Sequence, residues 1–230
     1  MRINLHKAVD ISIITSFILL STIYCRYLFF SEVQLYLKII LFISATVIGS
    51  VISDFGSGIV HWLCDNYGSP TIPIIGKYLI FPFREHHLTP SKMTKHDFFE
   101  TNGTPCLLPS IFLILSLPIL LNTTHWAILF LSALIFTTSL FGACTNQFHK
   151  WAHEQNPPLI AKLLQKSGLI INSKNHNIHH EHPHNTYYCI TTGWLNYMLR
   201  KINAWGRMEN LIFRLTKIKA ADYDLDDYRS

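Results

Sequence analysis

The sequence predicts an all-α integral membrane protein, a four-helix bundle with a cytosolic, histidine-rich helical cap. Three observations lead there. Only 14% of the 230 residues are charged and 49% are apolar, whereas a soluble domain carries about 25% charged residues. Four apolar stretches are long enough to cross a bilayer. Eleven of the thirteen histidines gather in short clusters, all outside those stretches.

A bilayer core about 30 Å thick takes roughly 20 helical residues. Val9–Phe30 meets this and is too long for the apolar part of a cleaved signal peptide, so it reads as a retained span. Leu35–Val60 is the second span. At 1.5 Å per residue it measures about 39 Å, so its end, with His61 and Asp65, should emerge from the lipid. Pro105–Leu121 is the weakest, being short and interrupted by Pro118, and is expected to be kinked or only partly inserted. Trp126–Phe148 is the fourth and runs on into His149 and His153. Short connections make two antiparallel hairpins, and the length suits one domain over 1–230.

Charge sets the expected orientation. Of the 19 Lys and Arg residues, 17 lie before the first span, in 61–104 or in 149–230; only Arg26 and Lys38 lie near the first short loop, and the second has none. Both termini and the cap, 61–104 with 149–218, are therefore expected in the cytosol, with no nucleic acid as partner. Two cap segments have amphipathic spacing. Leu159–Ile171 sets Leu159, Ile160, Leu163 and Leu164 against Lys162 and Lys166; Trp205–Ile218 sets Trp205, Met208, Leu211, Ile212 and Leu215 against Arg207, Arg214 and Lys217. Both suit helices lying on a membrane surface or packed on the cap itself. The end, 219–230, is an acidic tail, and Asp222–Ser230 reads as disordered. The five cysteines lack paired spacing and read as inert thiols rather than a disulfide framework.

The chemistry resides in the histidine clusters: His61-x-x-x-Asp65, Arg84-Glu85-His86-His87, His96-Asp97, His149-x-x-x-His153 and His176-x-x-His179-His180-x-His182-x-His184. A spacing of three or four puts side chains on one helical face, and an adjacent pair can send one ring to each of two metals. Imidazole suits zinc, copper, iron and nickel. One zinc ion takes about four ligands and has no redox chemistry. Two ions with four or five imidazoles each use the supply, and two irons with open positions can activate dioxygen. The clusters thus point to a membrane di-iron oxygenase or desaturase. A bis-histidine haem carrier would place its ligands within the bilayer, and a zinc hydrolase would leave half the clusters unexplained.

The runs Asp54-Phe-Gly-Ser-Gly-Ile-Val-His61-Trp62, Pro82-Phe-Arg-Glu-His-His87, His96-Asp-Phe-Phe-Glu-Thr-Asn-Gly103, Asn146-Gln-Phe-His-Lys-Trp-Ala-His153 and Tyr188-Cys-Ile-Thr-Thr-Gly-Trp-Leu-Asn196 resemble the Kua family, in ordered blocks from Ser53 to Glu209. That family includes plasmalogen-forming desaturases and, more distantly, a plant phosphatidylglycerol desaturase, and the likeness is greater to the first branch. The resemblance implies that the alkyl ether of a phospholipid is converted to a vinyl ether, with O2 as co-substrate. Electrons would come from a carrier such as cytochrome b5 or ferredoxin. The alternative is a fatty-acyl desaturase or hydroxylase acting on another phospholipid. Matched to the family motifs, the ligand candidates are His61, His86, His87, His96, His149, His153, His176, His179, His180 and His184. His6, His125 and His182 fall outside them. Asp65 and Asp97 either ligate iron or hold an imidazole by its other nitrogen, the second reading being preferred. Asp54, seven residues before His61, is a charge that needs a partner near a membrane. Arg84 and Lys92 suit either a lipid phosphate or a plain cytosolic-side role. Tyr187, Tyr188, Trp194 and Tyr197 suit either interfacial anchoring or a channel wall.

Overall fold

The structure, a computed structural model, describes residues 5–121 and 125–221. Helices account for the regular structure among these residues: α1 (Leu5–Phe30), α2 (Leu35–Asn66), α3 (Phe81–Leu88), α4 (Phe98–Leu121), α5 (Trp126–His153), α6 (Leu159–Lys166), α7 (Ser173–His179), α8 (Asn196–Lys201) and α9 (Ala204–Thr216). The acidic tail from Asp222 onward lies outside the described residues. Helices α1, α2, α4 and α5 are long and apolar enough to cross a membrane. The chain divides into two compact units, Met1–Ser53 with His96–Phe148, and Asp54–Lys95 with His149–Ser230.

The first unit is built on apolar helices. Ile14, Phe17, Tyr24, Ala45, Leu113, Leu129 and Phe136 form its buried core. Polar residues are buried among them, and several make specific ties. The Tyr24 hydroxyl joins α1 to α4, 3.0 Å from the Leu113 carbonyl and 2.6 Å from Ser116 Oγ. Thr137 Oγ1 donates to the Ala45 carbonyl at 2.8 Å, joining α5 to α2. Gly49 permits that approach, since a Cβ there would lie 2.4 Å from Thr137 Oγ1. Outward residues such as Leu19, Ile40, Phe112 and Leu115 are more than half exposed, which suits a surface solvated by lipid.

Helix α2 continues through Asn66 and carries His61 and Asp65 in its last two turns. Helix α4 begins at Phe98, seven residues before Pro105, and runs without a break to Leu121. Asp97 explains that start. Its Oδ1 accepts from the backbone N–H groups of Phe99 at 2.9 Å and Glu100 at 3.1 Å, which satisfies donors that a helix start leaves free.

In the second unit Trp62, Tyr188, Cys189, Leu199 and Trp205 form the core. Tyr188 is therefore core, and Trp194 and Tyr197 are exposed. Arg84 is buried, and its guanidinium donates to the carbonyls of Cys64, Tyr67 and Gly68 at 3.1–3.2 Å. That closes the C-terminus of α2 and secures α3 to it, a role distinct from meeting a lipid phosphate. Lys92 forms an exposed ion pair with Glu85. The predicted amphipathic segments are helical over Leu159–Lys166 and Ala204–Thr216. Their apolar residues Leu159, Ile160, Leu163, Leu211 and Leu215 are exposed.

Candidate metal centre

All the helices that deliver ligands to this centre do so within the second unit. On α2 and α5 a four-residue spacing pairs His61 with Asp65 and His149 with His153. On α7 the Asn172 side chain accepts from the Asn175 N–H at 3.0 Å, fixing the helix start and hence the phase of His176, His179 and the following His180. Two groups of ligand atoms result, in each of which the atoms lie within 4.8 Å of one another: His86, His149, His153, His176 and His180, and His61, Asp65, His87 and His179. Adjacent histidines part company. His86 and His180 enter the first group, His87 and His179 the second.

The first group is a convergence of Nε2 atoms. Their separations are 2.7 Å for His149–His176, 2.9 Å for His86–His153, 3.0 Å for His176–His180 and 3.2 Å for His149–His153. Metal–nitrogen bonds of about 2.1 Å at right angles set neighbouring nitrogens ~3.0 Å apart. Hydrogen bonding alone fits poorly. A ring nitrogen carries either one proton or one lone pair, yet the nitrogens of His149, His153 and His176 each face two others. Burial, and then repulsion from neighbouring rings, pushes His86, His176 and His180 well below the usual imidazole range. The rings are thus neutral, the form that binds a metal.

The second group contains a carboxylate. Asp65 Oδ2 lies 3.1 Å from His87 Nε2, 3.4 Å from His61 Nε2 and 3.5 Å from His179 Nε2, with Asp65, His61 and His179 fully buried. His61 Nδ1 is 3.1 Å from the Tyr188 carbonyl, and His179 Nδ1 is 2.8 Å from that of Thr186. A carbonyl only accepts, so both Nδ1 atoms carry the proton and both Nε2 atoms turn a lone pair inward. Neither Nε2 has a hydrogen-bond partner, nor has Asp65 Oδ1. Buried lone pairs facing a buried carboxylate repel it unless a cation lies among them. The donor set fits a metal ion in each group.

The His184 ring is 4.8 Å from that of His87, and its Nδ1 donates to the His179 carbonyl at 3.1 Å, although His184 is outside both groups. His96 belongs to the first unit and to neither group. Asp97 caps α4 and pairs with Lys7. His125 caps the start of α5, accepting from the Ala127 N–H at 3.2 Å. The sequence reading did not anticipate the Thr186 and Tyr188 carbonyls, which carry no side-chain signature. Nor did it anticipate the closure by Arg84, whose only sign was its place beside the His86–His87 pair.

Four membrane-length apolar helices, joined in one chain to adjoining imidazole-rich groups suited to two metals, define a multi-span membrane protein of the histidine-cluster type. Residues 50–222 match the lipid desaturase domain family, and the chain belongs to that family. Plasmanylethanolamine desaturase 1 of Mus musculus is 43% identical over 190 residues, covering 80% of this chain and 70% of that one. Plasmanylethanolamine desaturase of Myxococcus xanthus is 43% identical over 174 residues, covering 75% of this chain and 60% of that one. Chloroplastic fatty acid desaturase 4-like 1 of Arabidopsis thaliana is 35% identical over 168 residues, 72% of this chain and 54% of that one. No solved structure matches the chain.

Proposed function

We propose that this chain desaturates an alkyl-ether phospholipid of the plasmanylethanolamine type, turning the 1-O-alkyl ether into the vinyl ether of a plasmalogen. The overall change removes two hydrogens from adjacent chain carbons. It consumes one O2, two electrons and two protons and yields two waters. A small one-electron carrier such as cytochrome b5 or ferredoxin supplies the electrons. The observation that carries the reading is that all nine residues of the paired centre lie within the stretch matched to lipid desaturases. Two bound irons supply the oxygen-activating redox chemistry. His86, His149, His153, His176 and His180 hold one of them. His61, Asp65, His87 and His179 hold the other. His184 joins the second set, because its Nδ1 is spent on a carbonyl as in His61 and His179. Desaturation is favoured next to the ether oxygen, which stabilises electron deficiency on the neighbouring carbon.

The test is mass spectrometry of lipids from a host that makes 1-O-alkyl phospholipids, with and without the gene. Loss of two hydrogens with an acid-labile vinyl ether is expected. A product that gains an oxygen favours the hydroxylase reading, and a new double bond in an acyl chain favours the acyl-lipid desaturase.

We further infer that the termini and the metal-binding residues face the cytosol, on the strength of the 17-to-2 distribution of Lys and Arg. A Lys95→Cys variant in a Cys25→Ser background should react with a membrane-impermeant maleimide only after the membrane is opened. Labelling of intact cells would reverse the orientation.

A further inference from the structure

Asp54 is fully buried on α2, two helical turns before His61. A carboxylate in a membrane-length helix needs compensation, and this one finds it in backbone N–H groups. Oδ1 accepts from Thr192 and Gly193, both at 2.8 Å, and Oδ2 accepts from Leu195 at 3.2 Å. One turn later Ser57 Oγ accepts from the Ile190 N–H at 3.1 Å. The Asn196 side chain bridges Cys189, accepting from its N–H at 3.0 Å and donating to its carbonyl at 2.8 Å. Residues 189–195 form no regular structure of their own and are held by these side chains. Gly193 has φ +75°, and a Cβ there would lie 2.6 Å from Ile171 Cδ1, so a side chain at this turn would be strained. Immediately upstream are the two carbonyls that fix the second ligand group, Tyr188 on His61 Nδ1 and Thr186 on His179 Nδ1.

We propose that Asp54 is a positioning residue for the second metal: its carboxylate anchors the 186–196 segment, whose backbone carbonyls orient His61 and His179 and set their tautomer. Asp54 touches no ligand atom of either group, and it acts through the segment. Asp54→Asn keeps the size but turns an N–H donor toward one of the three N–H groups, so one anchor becomes a repulsion. The first ligand group receives none of its ring hydrogen bonds from this segment. Loss of the anchor should therefore weaken one metal and spare the other. Removing groups that orient a ligand commonly costs 10–100-fold in metal affinity.

The proposal rests on the two-metal reading, and the experiment separates the two. Cobalt(II) is titrated into the metal-free full chain in detergent micelles and followed by its visible absorption. The wild type should take two ions; His149→Ala, which disables the first group, and His87→Ala, which disables the second, should each leave one. Adding Asp54→Asn to His149→Ala should weaken the remaining ion 10–100-fold. Adding it to His87→Ala should leave the remaining ion within about twofold. Ser57→Ala should act in the same direction by a few-fold, and it carries the comparison if Asp54→Asn fails to accumulate. Equal weakening in both backgrounds would make Asp54 a general fold residue and overturn the proposal, as would no weakening in the first. A wild type that takes fewer than two ions overturns the two-metal reading itself, and this proposal with it.

Discussion

Replacing His149 or His180 by alanine should abolish vinyl-ether formation, a loss on the order of 10³-fold or more, while the chain still inserts in the membrane at wild-type level. His149 Nε2 is 2.7 Å from His176 Nε2 and 3.2 Å from His153 Nε2, so its removal opens the middle of the first ligand group. A loss of that size corresponds to about 4 kcal/mol of transition-state stabilisation, which is reasonable when one of the two proposed metals is displaced. Insertion should survive, because these rings contribute little to the apolar core of the first unit. His125→Ala is the comparison. It removes one hydrogen bond at an exposed helix start, which costs about 1 kcal/mol of stability at most sites of this kind and should leave activity within twofold. Alkenyl-lipid formation at matched expression decides the matter. If His125→Ala were as inactive as His180→Ala, the assignment of the chemistry to the paired groups would fail.

The two kinds of helix in this protein were not equally legible in the sequence. Long apolar runs identify α1, α2 and α5, because lipid requires the same hydrophobicity that composition reveals. The polar start of α4 was less visible. Hydropathy falls at His61 and rises only near Pro105, but backbone hydrogen bonding continues past both points. A hydropathy boundary marks where lipid solvation ends, and a helix boundary marks where capping occurs. For α4 that cap is Asp97, which therefore serves helix initiation. Pro105, Pro109 and Pro118 all lie inside α4, where the apolar surroundings favour the remaining helical hydrogen bonds over any alternative.

For the site, four-residue spacings bring His149 beside His153 and His61 beside Asp65, because a helix converts spacing into facing. Spacing does not say which group a ring joins. The division of His86 from His87, and of His180 from His179, depends on how α3 and the end of α7 are rotated. That rotation comes from Arg84 on the α2 carbonyls and from Asn172 at the α7 start. Which nitrogen faces inward depends on backbone carbonyls, which look alike in any sequence. Asp54 stood out as a charge without an evident partner, and its partners are backbone groups about 140 positions further along the chain.

Asp65→Asn should have effects of opposite sign on the metal-loaded and metal-free protein. Asp65 Oδ2 lies within 3.5 Å of three imidazole nitrogens, and those of His61 and His179 present lone pairs. With a metal bound, the carboxylate supplies the negative charge in the second ligand group. Its amide replacement ligates weakly, so the second ion should be lost and activity should fall ~100-fold or more. Without metal the carboxylate is a buried anion facing lone pairs, and an amide can donate to one of them instead. One such hydrogen bond contributes about 1 kcal/mol, and relief of the repulsion adds to it. Chelator-treated Asp65→Asn should therefore unfold at a higher temperature than the chelator-treated wild type. With metal supplied, the order should reverse. Asp65→Ala separates the contributions, since it loses the ligand without gaining a donor and should be inactive without the metal-free stabilisation. Metal content per chain and thermal unfolding with and without chelator provide the readouts. Retention of both ions with activity within a few-fold of wild type in Asp65→Asn would show that the carboxylate supports an imidazole instead of binding metal.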